Sequence, residues 1–103
     1  HVDDSLYVWG NIPVTPATGD VADGIVNQSN QVFENMKAVL NEAGMGFENV
    51  VKTTAFLTDL SNFATFNEIY ASYFVAPYPA RSCVEVSKLP KNVLVEVDCI
   101  AKK

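Results

Sequence analysis

Apolar and polar positions along the chain follow two distinct periods. Between Ile25 and Ala43, the residues Ile25, Val32, Phe33, Met36, Val39, Leu40 and Ala43 recur at helical spacing, with one lapse at Ser29. Gln28, Gln31, Glu34, Asn35, Lys37 and Asn41 fill the other side, and Gly44 and Gly46 supply a stop. One apolar stripe on a 3.6-residue period predicts an amphipathic helix ended by residues that tolerate positive φ. A second helix is predicted after Asp59 or Ser61, either of which can cap it. Its stripe of Phe63, Phe66, Ile69, Tyr70, Tyr73 and Phe74 reads as core, and Pro77 and Pro79 end it.

Elsewhere the period is two. Ser5 to Trp9 alternates weakly, Gly10 and Asn11 break it, and Ile12-Pro13-Val14 leads into a turn over Thr15 to Asp20. This predicts an opening hairpin or meander. Asn49 to Thr58 is β-branched and apolar enough for a strand covered on both faces. In the stretch Tyr78 to Val86, Ser82, Val84 and Val86 share one face; Arg81, Cys83 and Glu85 share the other. Val93 to Ala101 closes the pattern, with Val93, Val95, Val97, Cys99 and Ala101 on one side and Leu94, Glu96, Asp98 and Ile100 on the other. The order β-β-α-β-α-β-β predicts an α+β sandwich, two helices on one face of a mixed sheet.

Strand parity carries two expectations. The valine face of the last strand meets the helices together with Val84 and Val86, which sends Arg81, Cys83 and Glu85 to the opposite face beside Glu96. Cys83 and Cys99 then point to opposite sides and remain free thiols. Two helices cover only one face, so the second face, with Leu94, Ile100 and Cys83, predicts a homo-oligomer. Arg81 and Glu96 fall in or beside that junction, where an arginine and a carboxylate can frame an anion site.

Composition narrows the partners. The 103 residues suffice for one domain, 1–103, with one core. The chain opens on His1 rather than Met, which leaves its N-terminus open to being incomplete. Six lysines and one arginine scattered among twelve carboxylates, net charge −5, argue against nucleic acid as a partner. No apolar run reaches membrane-span length and no leader pattern begins the chain, so no membrane role is expected. Two cysteines are too few for a disulfide scaffold or a zinc site, and no metal is expected. A reducing compartment follows, the cytoplasm first and the mitochondrion as the alternative. His1 is the sole histidine, so Ser-His-Asp or Cys-His catalysis is excluded unless that terminal residue is recruited. Arg81, the sole arginine, is either a structural ion-pair partner or a clamp for an anionic ligand.

Several motifs in order carry a resemblance. Gly10-Asn11-Ile12-Pro13-Val14 with Pro16-Ala17-Thr18-Gly19, Glu34 to Leu40, Val50 to Asp59, Phe66-Asn67-Glu68-Ile69-Tyr70, Pro79 to Val86 and Leu94 to Val97 together resemble the RidA (YjgF) family over nearly the whole chain. The resemblance implies a chorismate-mutase-like fold assembled as a homotrimer with sites between subunits. It also implies hydrolysis of reactive enamine or imine acids, such as 2-aminoacrylate, to 2-keto acids and ammonia, without a cofactor. Carried over by position, Arg81 holds the substrate carboxylate, Glu96 positions or activates water, Asn67 and Cys83 line the pocket, and Gly10 sits at its wall. The residue before Gly10 is usually small in the family, often serine. Trp9 stands here instead, where it would narrow the pocket, stack on a larger side chain, or block it. The alternative to an imine deaminase is a trimer that binds small carboxylates or other proteins, chaperone-like, without turnover.

Overall fold

The first predicted helix forms as α1 (Gly24–Glu42) in the computed structural model, which describes residues 4–103. His1 therefore lies outside the described residues. α1 buries Val32, Phe33, Met36 and Leu40 along its stripe. Its end is set by Gly44 at φ +76°: the Gly44 N–H donates to the Asn41 carbonyl (3.0 Å) and the Met45 N–H to the Leu40 carbonyl (2.8 Å). These two bonds satisfy carbonyls the helix would otherwise orphan, through a left-handed residue that costs glycine nothing. The second helix, α2 (Phe63–Tyr73), follows a 3-10 turn at Leu60–Asn62. Asp59 begins that turn by accepting the Ser61 N–H at 2.9 Å, as its side chain suggested.

Four strands form one mixed sheet: β1 (Ser5–Asn11), β2 (Val50–Leu57), β3 (Ala80–Glu85) and β4 (Val95–Lys102), in the order β1-β4-β2-β3. β4 is antiparallel to both β1 and β2, whereas β3 runs parallel to β2. Both helices pack on one face. Val95, Val97, Cys99 and Ala101 of β4 and Ala55 and Leu57 of β2 join Phe33, Met36, Leu40, Phe66 and Tyr70 in one core. Phe33 lies at its centre, within 6.0 Å of the ring centroids of Phe66, Tyr70, Tyr73 and Phe74. Among the described residues no helix is long and apolar enough to cross a membrane.

The expected opening hairpin is reduced. Beyond β1, Val14 and Val21 form a single antiparallel bridge around the Thr15–Asp20 turn, and no second opening strand develops. Pro13 and Pro16 remove two donors from this segment. Its carbonyls turn instead to α1, where the Asn35 amide donates to Ile12 (3.2 Å) and Val14 (2.8 Å).

The parity expected for β3 is inverted. Its parallel register sets Arg81 opposite Thr53, Cys83 opposite Ala55 and Glu85 opposite Leu57. Those β2 partners face Cys99, Val97 and Val95 of β4, the helix side. Arg81, Cys83 and Glu85 therefore lie on the covered face, and Val84 is exposed on the other, level with Phe56 and Glu96. Cys83 and Cys99 share a face after all. Both remain free because β2 separates their strands, a gap of roughly 10 Å, beyond disulfide reach.

Candidate active site

Phe63, Asn67 and Tyr70 follow one another at four and three residues, so α2 presents them as a single stripe. Arg81, the second residue of β3, lands on that stripe. One guanidinium N–H donates to Asn67 Oδ1, and the guanidinium carbon stands 4.7 Å from the Tyr70 ring centroid and 5.3 Å from that of Phe63. Tyr70 is held in turn: its hydroxyl and the buried Thr53 hydroxyl share a 2.9 Å hydrogen bond, and its ring stacks on Phe74 at 4.5 Å. Among the described residues no carboxylate pairs with Arg81. Glu85, four residues further along β3 on the same face, instead accepts the Leu60 N–H at 3.3 Å.

A cavity of about 480 Å³ opens here, lined by Asn67, Tyr70, Ala71, Tyr78, Pro79 and Arg81. It combines one cation, one amide and aromatic walls, a set suited to a small carboxylate with an apolar side chain. Cys83 lies two residues further along β3 on the same face, half-buried against the core. Burial pushes its thiol pKa up, and the nearby Arg81 charge opposes the rise only in part. A thiol so placed is a poor nucleophile.

The remaining candidates lie across the sheet. Glu96, Asp98 and Ile100 of β4 share the open face with Lys52, Thr54 and Phe56 of β2, and with Tyr7, which pairs with Ile100. Trp9 is 64% exposed and stacks on Tyr7 (centroids 6.0 Å, planes 16° apart). It borders a smaller cavity of about 170 Å³ with Lys52, Thr54, Asp98 and Ile100. Gly10 adopts φ +69° at the irregularity of β1 and donates its N–H to Asp98 Oδ1 at 2.8 Å. The pKa of Glu96 is raised, first by burial and then by the negative charge of Asp98. A glutamate so shifted suits proton transfer better than an ordinary one.

The structure thus brings Arg81, Asn67 and Cys83 together, and separately places Trp9, Gly10 and Glu96 on the far side. Within one chain Arg81 and Glu96 cannot meet, contrary to the parity expectation, because Glu96 pairs with Phe56 while Arg81 pairs with Thr53. The sequence pattern did not single out Phe63, Tyr70 and Tyr78, which contact Arg81 or line its cavity. The signal available was the 63–67–70 spacing ahead of the sole arginine.

Comparison with known proteins bears on the family and the fold. The family model described as endoribonuclease L-PSP matches residues 1–103. A RutC family protein of Pyrococcus horikoshii is 48% identical over 99 residues, covering 95% of this chain and 79% of that protein. The 2-iminobutanoate/2-iminopropanoate deaminase of Salmonella typhimurium is 48% identical over 95 residues, covering 89% of this chain and 74% of the enzyme. The crystal structure of RidA from an Antarctic Psychrobacter superposes with a TM-score of 0.97 at 40% identity, over 100% of this chain and 84% of that one. With its whole length matched by the family model and two helices on a mixed four-stranded sheet as in RidA, the chain belongs to the endoribonuclease L-PSP family, the RidA/YjgF family.

Proposed function

We propose that the protein hydrolyses reactive 2-imino acids and their enamine tautomers, such as 2-aminoacrylate, to 2-oxo acids and ammonia. The observation that carries this reading is Arg81, a guanidinium with no carboxylate partner among the described residues, set into the wall of a cavity of substrate size. A planar fork of this kind grips a carboxylate through two parallel hydrogen bonds. The deaminase name borne by a relative with 48% identity supports the same chemistry.

The imine carbon is already electrophilic, so the site has to orient water and move protons rather than generate a strong nucleophile. Water adds to C2 and loses a proton to the Glu96 carboxylate, while the imine nitrogen takes up a proton from bulk water. The resulting carbinolamine collapses with cleavage of its C–N bond. The nitrogen leaves as ammonia with the proton returned from Glu96, while the C2 hydroxyl gives its proton to bulk water and becomes the keto group. The raised Glu96 pKa favours both halves of this exchange.

Arg81 and Glu96 lie on opposite faces of one chain, so a site containing both is shared between copies, the Arg81 edge of one meeting the open face of the next. A homotrimer is the assembly we propose. Exposed Tyr7, Trp9 and Val84 on that face favour burial against another copy. Asn67 and Cys83 then line the site from the Arg81 side, and Gly10 and Trp9 wall it from the other.

The test generates the imine in situ with a serine or threonine dehydratase, lets semicarbazide compete for it, and follows keto-acid release. Acceleration by this protein is expected. Arg81→Ala should lower kcat/KM roughly 10- to 100-fold, the worth of hydrogen bonds to a charged group. No acceleration by a verified oligomer would refute the reading. That result would favour a carboxylate-binding or protein-interaction assembly without turnover, for which the exposed Trp9 ring, able to occupy the catalytic space, is the specific support.

A further inference from the structure

We infer that Tyr70 and Phe63 are positioning residues, an aromatic platform that sets the plane in which Arg81 receives a carboxylate. The inference rests on the proposed role of Arg81 as the carboxylate anchor. An exposed arginine ordinarily samples many rotamers, and most of that freedom is lost when it binds. Here three contacts restrict it beforehand. Tyr70 and Phe63 lie 4.7 and 5.3 Å from the guanidinium carbon, and Asn67 Oδ1 takes one of its N–H groups. Electrostatic attraction between the cation and the ring faces holds the group without using its remaining N–H donors. A carboxylate partner would have consumed those donors and competed with the ligand's own carboxylate.

The platform is itself fixed. Tyr70 is 4% exposed and touches Phe33, Phe66 and Phe74, and its hydroxyl is pinned to Thr53 in the interior of the sheet. Thr53 is the residue opposite Arg81 in the parallel register, so one β2 position supports both the strand that carries the arginine and the ring beside it. The orientation of the guanidinium is thereby referred to the sheet rather than to a loop. Ligand and transition state share the carboxylate, so loss of the platform should weaken both alike, raising KM and leaving kcat nearly unchanged.

The experiment compares Tyr70→Leu, Tyr70→Phe and Phe63→Leu with the parent and with Arg81→Ala. Thermal melts and oligomer size serve as folding controls. The readouts are KM and kcat in the dehydratase-coupled assay and, independently of turnover, the dissociation constant of 2-oxobutanoate by titration calorimetry. Tyr70→Leu and Phe63→Leu should each weaken 2-oxobutanoate about 3- to 20-fold, the worth of a partly desolvated cation–π contact, and raise KM by a similar factor with kcat within about twofold. Tyr70→Phe, which keeps the ring, should bind within about threefold of the parent. Should Tyr70→Leu fail to fold, Phe63→Leu decides alone. Parental 2-oxobutanoate affinity in folded leucine variants, with Arg81→Ala impaired, overturns the platform. Parental affinity in Arg81→Ala overturns the anchor assignment, and the platform with it.

Discussion

Gln28 offers a substitution whose cost should appear and vanish with pH. It is 5% exposed on α1, donates its amide N–H to the Ala22 carbonyl at 3.0 Å, and accepts the Leu94 N–H on its oxygen at 2.7 Å. One side chain thereby ties the segment before α1 to the residue before β4. Gln28→Glu preserves shape and the acceptor for Leu94, but replaces the donor with an oxygen facing the Ala22 carbonyl. With the carboxylate ionised, a buried charge loses a donor bond and gains an oxygen–oxygen contact, a cost of about 3 kcal/mol. For a domain of this size that lowers Tm by about 12–24 °C. Protonated, the carboxyl O–H can donate to Ala22 in place of the amide, and the cost falls below about 1 kcal/mol. Burial raises the folded-state pKa of the introduced carboxyl above its unfolded value of about 4.3. The variant therefore keeps its stability below that value and loses it as pH rises through the raised pKa. The assay is the difference in Tm between parent and variant from about pH 4 to pH 8. A gap that does not change with pH, or a neutral-pH gap under about 2 °C, would refute this account of the Gln28 bridge.

Three further outcomes are expected. Ser29 is fully buried and its hydroxyl has no hydrogen-bond partner among the described residues, so Ser29→Ala should leave Tm unchanged or raise it by about 4–8 °C; a fall would reveal a partner for the hydroxyl. Burial raises the Cys83 pKa, whereas Cys99 is pushed to about 11 by burial and the Asp98 charge, and is 1% exposed. Alkylation of native protein read by mass spectrometry should label Cys83 slowly and Cys99 only after denaturation; the reverse order would contradict the described packing. The acid limb of the pH–rate profile should lie above the usual glutamate range, activity rising as Glu96 ionises, and Glu96→Gln should abolish turnover. A parental profile in that variant would remove Glu96 from the mechanism.

Both helices were legible because their stripes are long and end in strong signals: Gly44 after α1, and a proline pair beyond α2. β4 was legible because its inner face is buried along its length. β3 misled for a physical reason. Hydrophobic alternation assumes that the apolar side of a strand faces the core, but β3 is an edge strand and only Cys83 on it packs inward. Arg81 satisfies the inner face through its contacts with α2 rather than through hydrophobicity, and Val84 is left on the outer face. Parity there follows from the parallel register with β2, a long-range pairing that no local pattern records. The same error put Arg81 and Glu96 on one face. Their separation says more about how a site could be assembled than their expected proximity did.

The order of strands has a consequence for biosynthesis. Of the described elements β4 is made last, yet it occupies a central place in the sheet, between β1 and β2. Until it emerges from the ribosome, β1 has no neighbour among the described strands and β2 lacks one of its two. α1 and α2 meanwhile expose apolar stripes that the finished sheet covers. The nascent chain is thus expected to wait as a sticky, incomplete intermediate and to close late, through contacts spanning almost its whole length. A message cut short anywhere before β4 would yield a client for chaperones and proteases rather than a smaller working protein.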